Sequence, residues 1–369
     1  MLTYFDVVEY LITASAGGPQ DAEQRDIRTA VQRSYQELTT VRDWMYYSTH
    51  GRIITQAPAT ATVSTYAAGV LTVSAPMAST DWSHVRAGDI VSQIAKSVSS
   101  TVFNLDDTVR FNTVAPGTTV TFYKSTYPLP DDFRNLDEPS DELHWWAGRY
   151  VTPDEAMKLE RVANPTGSPY RWTVLKDPLT YGWSIVLVGY PTRSETIDFT
   201  YRRTPRKLKY SGHEAGSRVG TISSASTAVT GTTTAFVAGF VGSVLRVGST
   251  TLPPEPLEGI SPYSAESLIT AFGSATTLTT ASAVSATAMY YLITDPLDLP
   301  THMHTAMFSA AEYWLTRIRG GKADAIGGFY QRDLRLAMEQ DQLAPLSGRT
   351  SAVWSDGGWR SSLKVDGGT

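Results

Sequence analysis

The 369-residue chain has no cysteine, which excludes a disulfide frame, a thiol nucleophile and a thiolate zinc site. It also lacks any run near the ~20 apolar residues that a helix needs to cross a bilayer. The nearest, Val237 to Val247, is short and is interrupted by Gly239, Gly242 and Arg246. The opening MLTYFDVVEYL carries acids and no basic stretch, so it does not read as a signal peptide. The expectation is a soluble protein, or part of a soluble assembly, without membrane contact. A dominant charge is missing too: 31 Lys and Arg face 36 Asp and Glu, a net of -5, so any contact with nucleic acid has to be local.

Catalytic signatures are equally scarce. The carboxylate pairs Asp131/Asp132, Asp137/Glu138 and Asp141/Glu142 are neighbours in loops, whereas a glycosidase sets two carboxylates about 5 to 9 Å apart across a cleft. His302 and His304 are two residues apart at a helix start and face different ways. Gly320-Gly321-Lys322 lacks the earlier glycines and the following Ser or Thr of a phosphate loop and reads as a helix-helix turn. No G-x-S-x-G elbow occurs. The expectation is a protein with no enzymatic activity, no cofactor and no metal.

Aromatic residues are abundant, with 19 Tyr and 9 Trp, side chains favoured both in cores and at subunit interfaces. The organising stretch is 21 to 46. Ile27, Val31, Tyr35, Leu38, Val41 and Met45 recur at spacings of three and four, the stripe of one face of a long α-helix. A shorter helix over 3 to 14, opened by Thr3, and two C-terminal helices over 301 to 319 and 322 to 343 are the elements able to cover it. From the first of those two, Met307, Trp314, Leu315 and Ile318 fall on the packing side; in the second, Ile326, Phe329, Tyr330, Leu334, Leu336 and Met338 approach helical spacing. Gly51 reads as the stop of the long helix.

Between the helical ends the period changes to two. Short Thr- and Val-rich strands over 52 to 127 predict a small β-barrel or sandwich, including a hairpin turning at Ala67, Ala68 and Gly69. A helical turn is expected at 140 to 146. Thr152, Pro153 and Glu155 form a capping signal for the next helix, and three strands, 170 to 175, 183 to 188 and 195 to 201, predict an antiparallel meander. A second β-rich region covers 211 to 291. The two β-regions end alike, TVTFYKSTYPLPDDF and SATAMYYLITDPLDLPTHM, a weak internal repeat. The predicted class is α+β: a helical bundle and β meander from 1 to 50, 128 to 208 and 300 to 345, two inserted β-modules at 52 to 127 and 211 to 291, and an extended arm, 346 to 369, anchored by Trp354 and Trp359.

One charge feature has content. Arg202, Arg203, Arg206, Lys207 and Lys209 put five cations in eight residues, either facing phosphate or an acidic partner or forming a solvated loop. Arg317, Arg319 and Lys322 add cations near the C-terminal helices.

The host segments resemble head-to-tail adaptor proteins of tailed bacteriophages, of the tail accessory or tail tubular A type. The residues that carry the resemblance are RSYQELTTVRDWMYYSTHG, the Leu129-Pro130-Asp131-Asp132-Phe133 exit, the stretch IVLVGYPTRSETIDFTYRRTPRKL and AAEYWLTRIRGGKADAIGGFYQRDLRLAM. The resemblance covers about half the chain, and the second insert departs from it. It implies a homo-dodecameric ring at the head-tail interface of the virion, assembled in the host cytoplasm, docked on the portal protein through the arm. It further implies a platform facing the tail tube, nozzle or tail fibre proteins, and basic residues toward double-stranded DNA in the channel. The competing expectation is a virion-surface or extracellular module that contacts glycan or a host receptor through its β-domains. That reading predicts exposed aromatics clustered on one of them.

Overall fold

The structure is a computed structural model that describes residues 1–347 except 15–20, 107–109, 137–149, 163–170, 177–181, 190 and 249–262. The helical turn expected at 140 to 146, and Trp354 and Trp359 of the arm, lie outside the described residues. The fold is α+β and forms two compact units, Met1–Tyr46 with Pro205–Thr369, and Tyr47–Thr204. The strands expected over 170 to 201 thus fall in the unit of the first β-module, and the long terminal helices in that of the second.

Helix α1 is Tyr4–Ala14. Thr3 caps it: the Asp6 N–H donates to Thr3 Oγ1 at 3.4 Å and the Thr3 N–H donates to Asp6 Oδ2 at 2.9 Å, a reciprocal box that satisfies two N-terminal donors. Helix α2 is Asp21–Thr40. Ile27, Val31, Tyr35 and Leu38 are buried, as their spacing predicts, but the helix stops six residues short of expectation. The Thr39 and Thr40 hydroxyls donate to the carbonyls of Tyr35 and Gln36 at 2.9 and 2.7 Å, and the Trp44 indole N–H donates to the Leu38 carbonyl at 2.7 Å. The Trp44 indole thereby satisfies a last-turn carbonyl, and the two hydroxyls add second bonds to carbonyls one turn earlier. The chain then turns, burying Trp44 and leaving Val41 and Met45 at 44% and 43% exposure, so these two are not packing residues. Val41→Ser is accordingly expected to change stability by less than ~0.5 kcal/mol, against about 2 kcal/mol or more for Val31→Ala. Urea midpoints of the two variants check this.

The Tyr47–Thr204 unit opens with β1 (Ser48–Ile54), followed by β2 (Ala59–Ala67), β3 (Val70–Val73), β4 (His84–Ala87), β5 (Ile90–Ser97), β6 (Val102–Leu105) and β7 (Thr119–Tyr123). Strands β2 to β7 close a barrel in the order β2-β3-β6-β5-β4-β7 around Val63, Leu71, Phe103, Phe111, Val120 and Phe122. The β2-β3 hairpin turns through Ala68 at φ 50° and Gly69 at φ 82°, left-handed residues whose twist matches the strands.

After the barrel come β8 (Thr126–Pro128), β9 (Phe133–Leu136), α3 (Pro153–Val162), β10 (Arg171–Lys176), β11 (Trp183–Val188) and β12 (Thr196–Arg203). Thr152 Oγ1 accepts from the Glu155 N–H at 3.3 Å, the expected cap of α3. The expected three-strand meander does not form. Strands β10, β11 and β8 make one sheet, while β12 lies between β1 and β9 in another. Ile197, Phe199 and Tyr201 of the second sheet share a core with Trp172, Ile185 and Leu187 of the first. A lone meander would leave its apolar face uncovered, and two sheets cover each other. Gly51 is therefore a strand residue of β1 and not a helix stop; it pairs opposite Phe199, whose ring occupies the space of a Cβ.

On β4, His84 stacks on Tyr123 at 5.3 Å and its Nδ1 lies 3.1 Å from Ser125 Oγ. Burial pushes its pKa down to about 4. The native state then binds fewer protons than the unfolded state between pH ~4 and ~6.5, so stability falls as pH drops through this window and levels below it. The full shift corresponds to about 3 kcal/mol; His84 is half-buried, so ~1 to 2 kcal/mol is expected after solvent screening. His84→Asn should flatten the curve there. Denaturation of both proteins from pH 4 to 7 would contradict the assignment if the slopes agreed.

The second β-module comprises β13 (Thr221–Ser224), β14 (Ala228–Thr232), β15 (Val244–Val247), β16 (Ala265–Ser274), β17 (Thr277–Thr280), β18 (Ala286–Met289) and β19 (Tyr291–Thr294). Its sheet order is β18-β13-β14-β17-β16-β15-β19. Strands β13, β14, β17, β16 and β15 pair in the same order as β2, β3, β6, β5 and β4 of the barrel. The place of β7 is taken by β18 and β19 together, one on β13 and the other on β15, broken at Tyr290 beside Ala288 at φ 47°. The sheet curls so far that its two outermost strands are separated by one residue. The weak sequence repeat is thus a repeat of topology.

Helices α4 (His304–Ile318) and α5 (Asp324–Ser347) complete a bundle with α1 and α2. Helix α4 buries Ala306, Met307, Ala310, Ala311 and Leu315, while Trp314 and Ile318 are half-buried. Small residues at 306, 310 and 311 let it approach its neighbours closely. Gly320, at φ 73°, follows its end. Helix α5 buries Tyr330, Asp333, Ala337 and Asp341, and it continues through Pro345. Phe329 and Leu336, expected inside, stand 56% and 50% exposed, because the buried stripe is centred about a quarter turn away from them.

Candidate polyanion and partner interface

The five-cation run divides. Arg202 and Arg203 belong to β12 and are half-buried; the Arg203 guanidinium lies 5.3 Å from the Tyr47 ring centre. Arg206 turns inward: it donates to Asp295 Oδ1 at 3.0 Å, Ser243 Oγ at 3.3 Å and the Gly242 carbonyl. Asp295 is fully buried, and an isolated buried carboxylate is costly without a cation and donors. Arg206 is therefore a residue of the fold and not a partner-facing cation. Lys207 and Lys209 are exposed.

Arg317, Arg319 and Lys322 are exposed at the α4-α5 turn. Arg317 joins a constellation centred on Trp314, whose indole N–H donates to Glu37 Oε2 of α2 at 2.5 Å. The guanidinium carbons of Arg33 on α2 and Arg317 on α4 each lie 5.4 Å from the Trp314 ring centre. Arg317 Nη1 also donates to the Tyr313 hydroxyl at 3.1 Å, and Tyr313 stacks on Tyr330 at 5.8 Å. Burial, reinforced by the charge of Glu37, pushes the Tyr330 hydroxyl above the usual phenol range. Arg33 is exposed on α2. Its convergence with Arg317 on one ring depends on helix packing, and no local signal announces it.

A second feature is a groove between α5 and the start of α4. It encloses about 530 Å³ and is lined by Thr301, His302, Thr305, Asp333, Leu336 and Gln340. Ser309 donates to Asp333 at its floor, and Asp341 accepts the Met45 N–H at 3.0 Å. His302 Nε2 is 3.8 Å from Asp341 Oδ1. Burial pulls the His304 pKa down. Among the described residues no three His, Asp or Glu side chains gather as a metal site. Of the carboxylate pairs, Asp132 accepts from the Tyr201 hydroxyl at 2.8 Å; burial, and after it this bond, raises that phenol to about 12. The pairs at 137/138 and 141/142 lie outside the described residues.

The large exposed aromatics among the described residues are Tyr10, Tyr46, Tyr150, Trp183 and Phe329. None of them lies on either β-module, where a glycan platform would place them. No protein-family model matches this sequence, no curated protein matches it, and no solved structure matches its fold.

Proposed function

We propose that this protein is a structural head-to-tail adaptor of a tailed phage, a ring that joins the portal protein to the tail tube or nozzle, retains the packaged genome and conducts DNA during ejection. The observation that carries the reading is the packing of the two ends of the chain. Helices α1 and α2 form one bundle with α4 and α5, and among the described residues the elements between are strands apart from α3 and short turns. An adaptor needs such a helical body, and an independent surface-binding module does not. The exposed Phe329 and Leu336 on α5 give the bundle an apolar face for a neighbouring subunit, and the cations of the α4-α5 turn supply a local positive zone on an acidic chain. Under this reading the chain works in the virion at the head-tail interface, without catalysis or cofactor.

Native mass spectrometry of the full chain, alone and with its cognate portal, tests the proposal. The expected result is twelve copies added per portal and loss of that binding when residues 346–369 are deleted. A monomer or trimer indifferent to the portal would overturn it and redirect attention to the β-modules.

A further inference from the structure

We infer that the groove between α5 and the start of α4 is a docking site for a basic side chain, an arginine, presented by a partner polypeptide. The inference does not rest on the adaptor reading, because the groove is complete within one subunit.

The groove combines a buried charge with an open mouth. Asp333, Leu336 and Gln340 follow one another on α5 at spacings of three and four, so they share one face of that helix. Thr301, His302 and Thr305 form the facing wall. The enclosed space, about 530 Å³, lies within the ~300 to 1,000 Å³ of ligand-sized sites. Thr301, Thr305, Leu336 and Gln340 are exposed, while Asp333 is 6% exposed at the floor.

The charge of the floor selects the ligand. A buried carboxylate is costly unless a cation and donors compensate it. Asp333 has Ser309 as a donor and Arg332 as its cation; among the described residues no other basic group lies within 4.0 Å of it. Arg332 is a poor partner. Consecutive residues on a helix do not face each other, so its guanidinium folds back to reach the acid, and its side chain stays 63% exposed. An ion pair so placed contributes little. Asp341, 1% exposed, lies 3.8 Å from His302 Nε2, a buried ring nitrogen with no hydrogen-bond partner among the described residues. Two buried carboxylates thus meet one exposed arginine, and the groove attracts positive charge.

Leu336 adds the second half of the recognition. At 50% exposure beside the acid, it offers apolar surface to an aliphatic stem whose charged head reaches Asp333. Arginine suits this pair better than lysine, because its planar fork bonds a carboxylate in two parallel contacts and is more weakly hydrated than an ammonium. Thr301, Thr305 and Gln340 supply acceptor oxygens for the remaining N–H groups. The exposed rims leave room for a main chain to pass across, and among the described residues no Lys or Arg lines the groove to hold the carboxylate of a free amino acid.

Saturation-transfer NMR of the full chain with N-acetyl-arginine methylamide tests the site. A dissociation constant on the order of 1 mM is expected, as the ligand efficiency of drug-sized molecules gives for so small a ligand. Asp333→Asn, which keeps an acceptor for Ser309, and Leu336→Lys, which sets a competing ammonium at an exposed position, should each weaken binding about fivefold or more. Leu336→Lys alters no buried residue, so it decides the matter where Asp333→Asn lowers stability, and thermal unfolding of both variants tells the two cases apart.

The corresponding lysine derivative should bind more weakly, and the norleucine derivative should not bind measurably. Equal binding of the norleucine derivative, binding indifferent to both substitutions, or no binding at all overturns the proposal. Lysine binding as tight as arginine overturns the choice of guanidinium, and tighter binding of free L-arginine than of the blocked derivative overturns the polypeptide source. None of these measurements involves the portal, so the adaptor reading stands or falls by its own experiment.

Discussion

Asp295→Ala is expected to destabilise the protein by about 3 to 5 kcal/mol, the range for removing one partner of a buried, hydrogen-bonded ion pair. Asp295 is fully buried. Its carboxylate accepts from the Lys209 N–H at 2.5 Å, the Tyr210 N–H at 2.8 Å, Ser243 Oγ at 2.6 Å and the Arg206 guanidinium at 3.0 Å. Alanine would strand a guanidinium, a hydroxyl and two backbone donors together. Asp295→Asn keeps an acceptor oxygen but not the charge, so a smaller loss is expected, roughly 1 to 3 kcal/mol. The same hub explains Gly242. Its φ is 83°, and a Cβ there would collide with the Arg206 guanidinium that binds its carbonyl. Urea titration followed by circular dichroism measures each variant; a loss under about 1 kcal/mol for Asp295→Ala would refute the account.

Asp6→Ala ranks second, with an expected loss of about 2 to 4 kcal/mol from two causes acting at once. The first is the cap of α1, where Asp6 Oδ2 accepts the Thr3 N–H at 2.9 Å and the Thr3 hydroxyl at 3.0 Å, a contribution of ~1 kcal/mol. The second is Arg246, whose side chain is 4% exposed and which binds the two Asp6 oxygens at 2.5 and 3.0 Å. Glu266 Oε1, 2.9 Å from Arg246 Nε, and the Tyr263 ring, 4.6 Å from the guanidinium, remain after the substitution, which is why the loss stays below that of Asp295. Combining Asp6→Ala with Arg246→Met should cost less than the sum of the single changes, because the second change removes the charge the first leaves unpaired. Strict additivity in thermal unfolding would argue that the two side chains do not act as a pair.

Both hubs lay outside sequence reasoning for the same reason. Asp295 sits in a Pro- and Leu-rich exit and Asp6 in a helical first turn, and each reads locally as an ordinary exposed acid. Their partners are 89 and 240 residues away in the chain. By contrast, the Thr3 and Thr152 caps were legible, since a cap is made within four residues. The α2 stripe was legible through Leu38, where the 3.6-residue period operates. It failed at Val41 and Met45, where Trp44 closes the helix and the periodic pattern continues by coincidence. The basic run was legible as charge and misleading as a site, because a buried carboxylate from another segment claims Arg206.

The sequence by itself determined the elements whose causes are local: the helical ends, their caps, the two β-modules, the hairpin at Ala68 and Gly69, and the repeat between modules. It also excluded thiol chemistry outright. Only the tertiary structure decided which strands pair and which charged groups face outward. Strand β12 joins β1, with which it pairs across 146 residues at Arg52 and Asp198, because each small sheet needs another to cover its apolar face. Arginine side chains turn inward or outward according to where an unpaired carboxylate is buried. Neither outcome follows from spacing along the chain, since both depend on what distant segments leave exposed or unpaired.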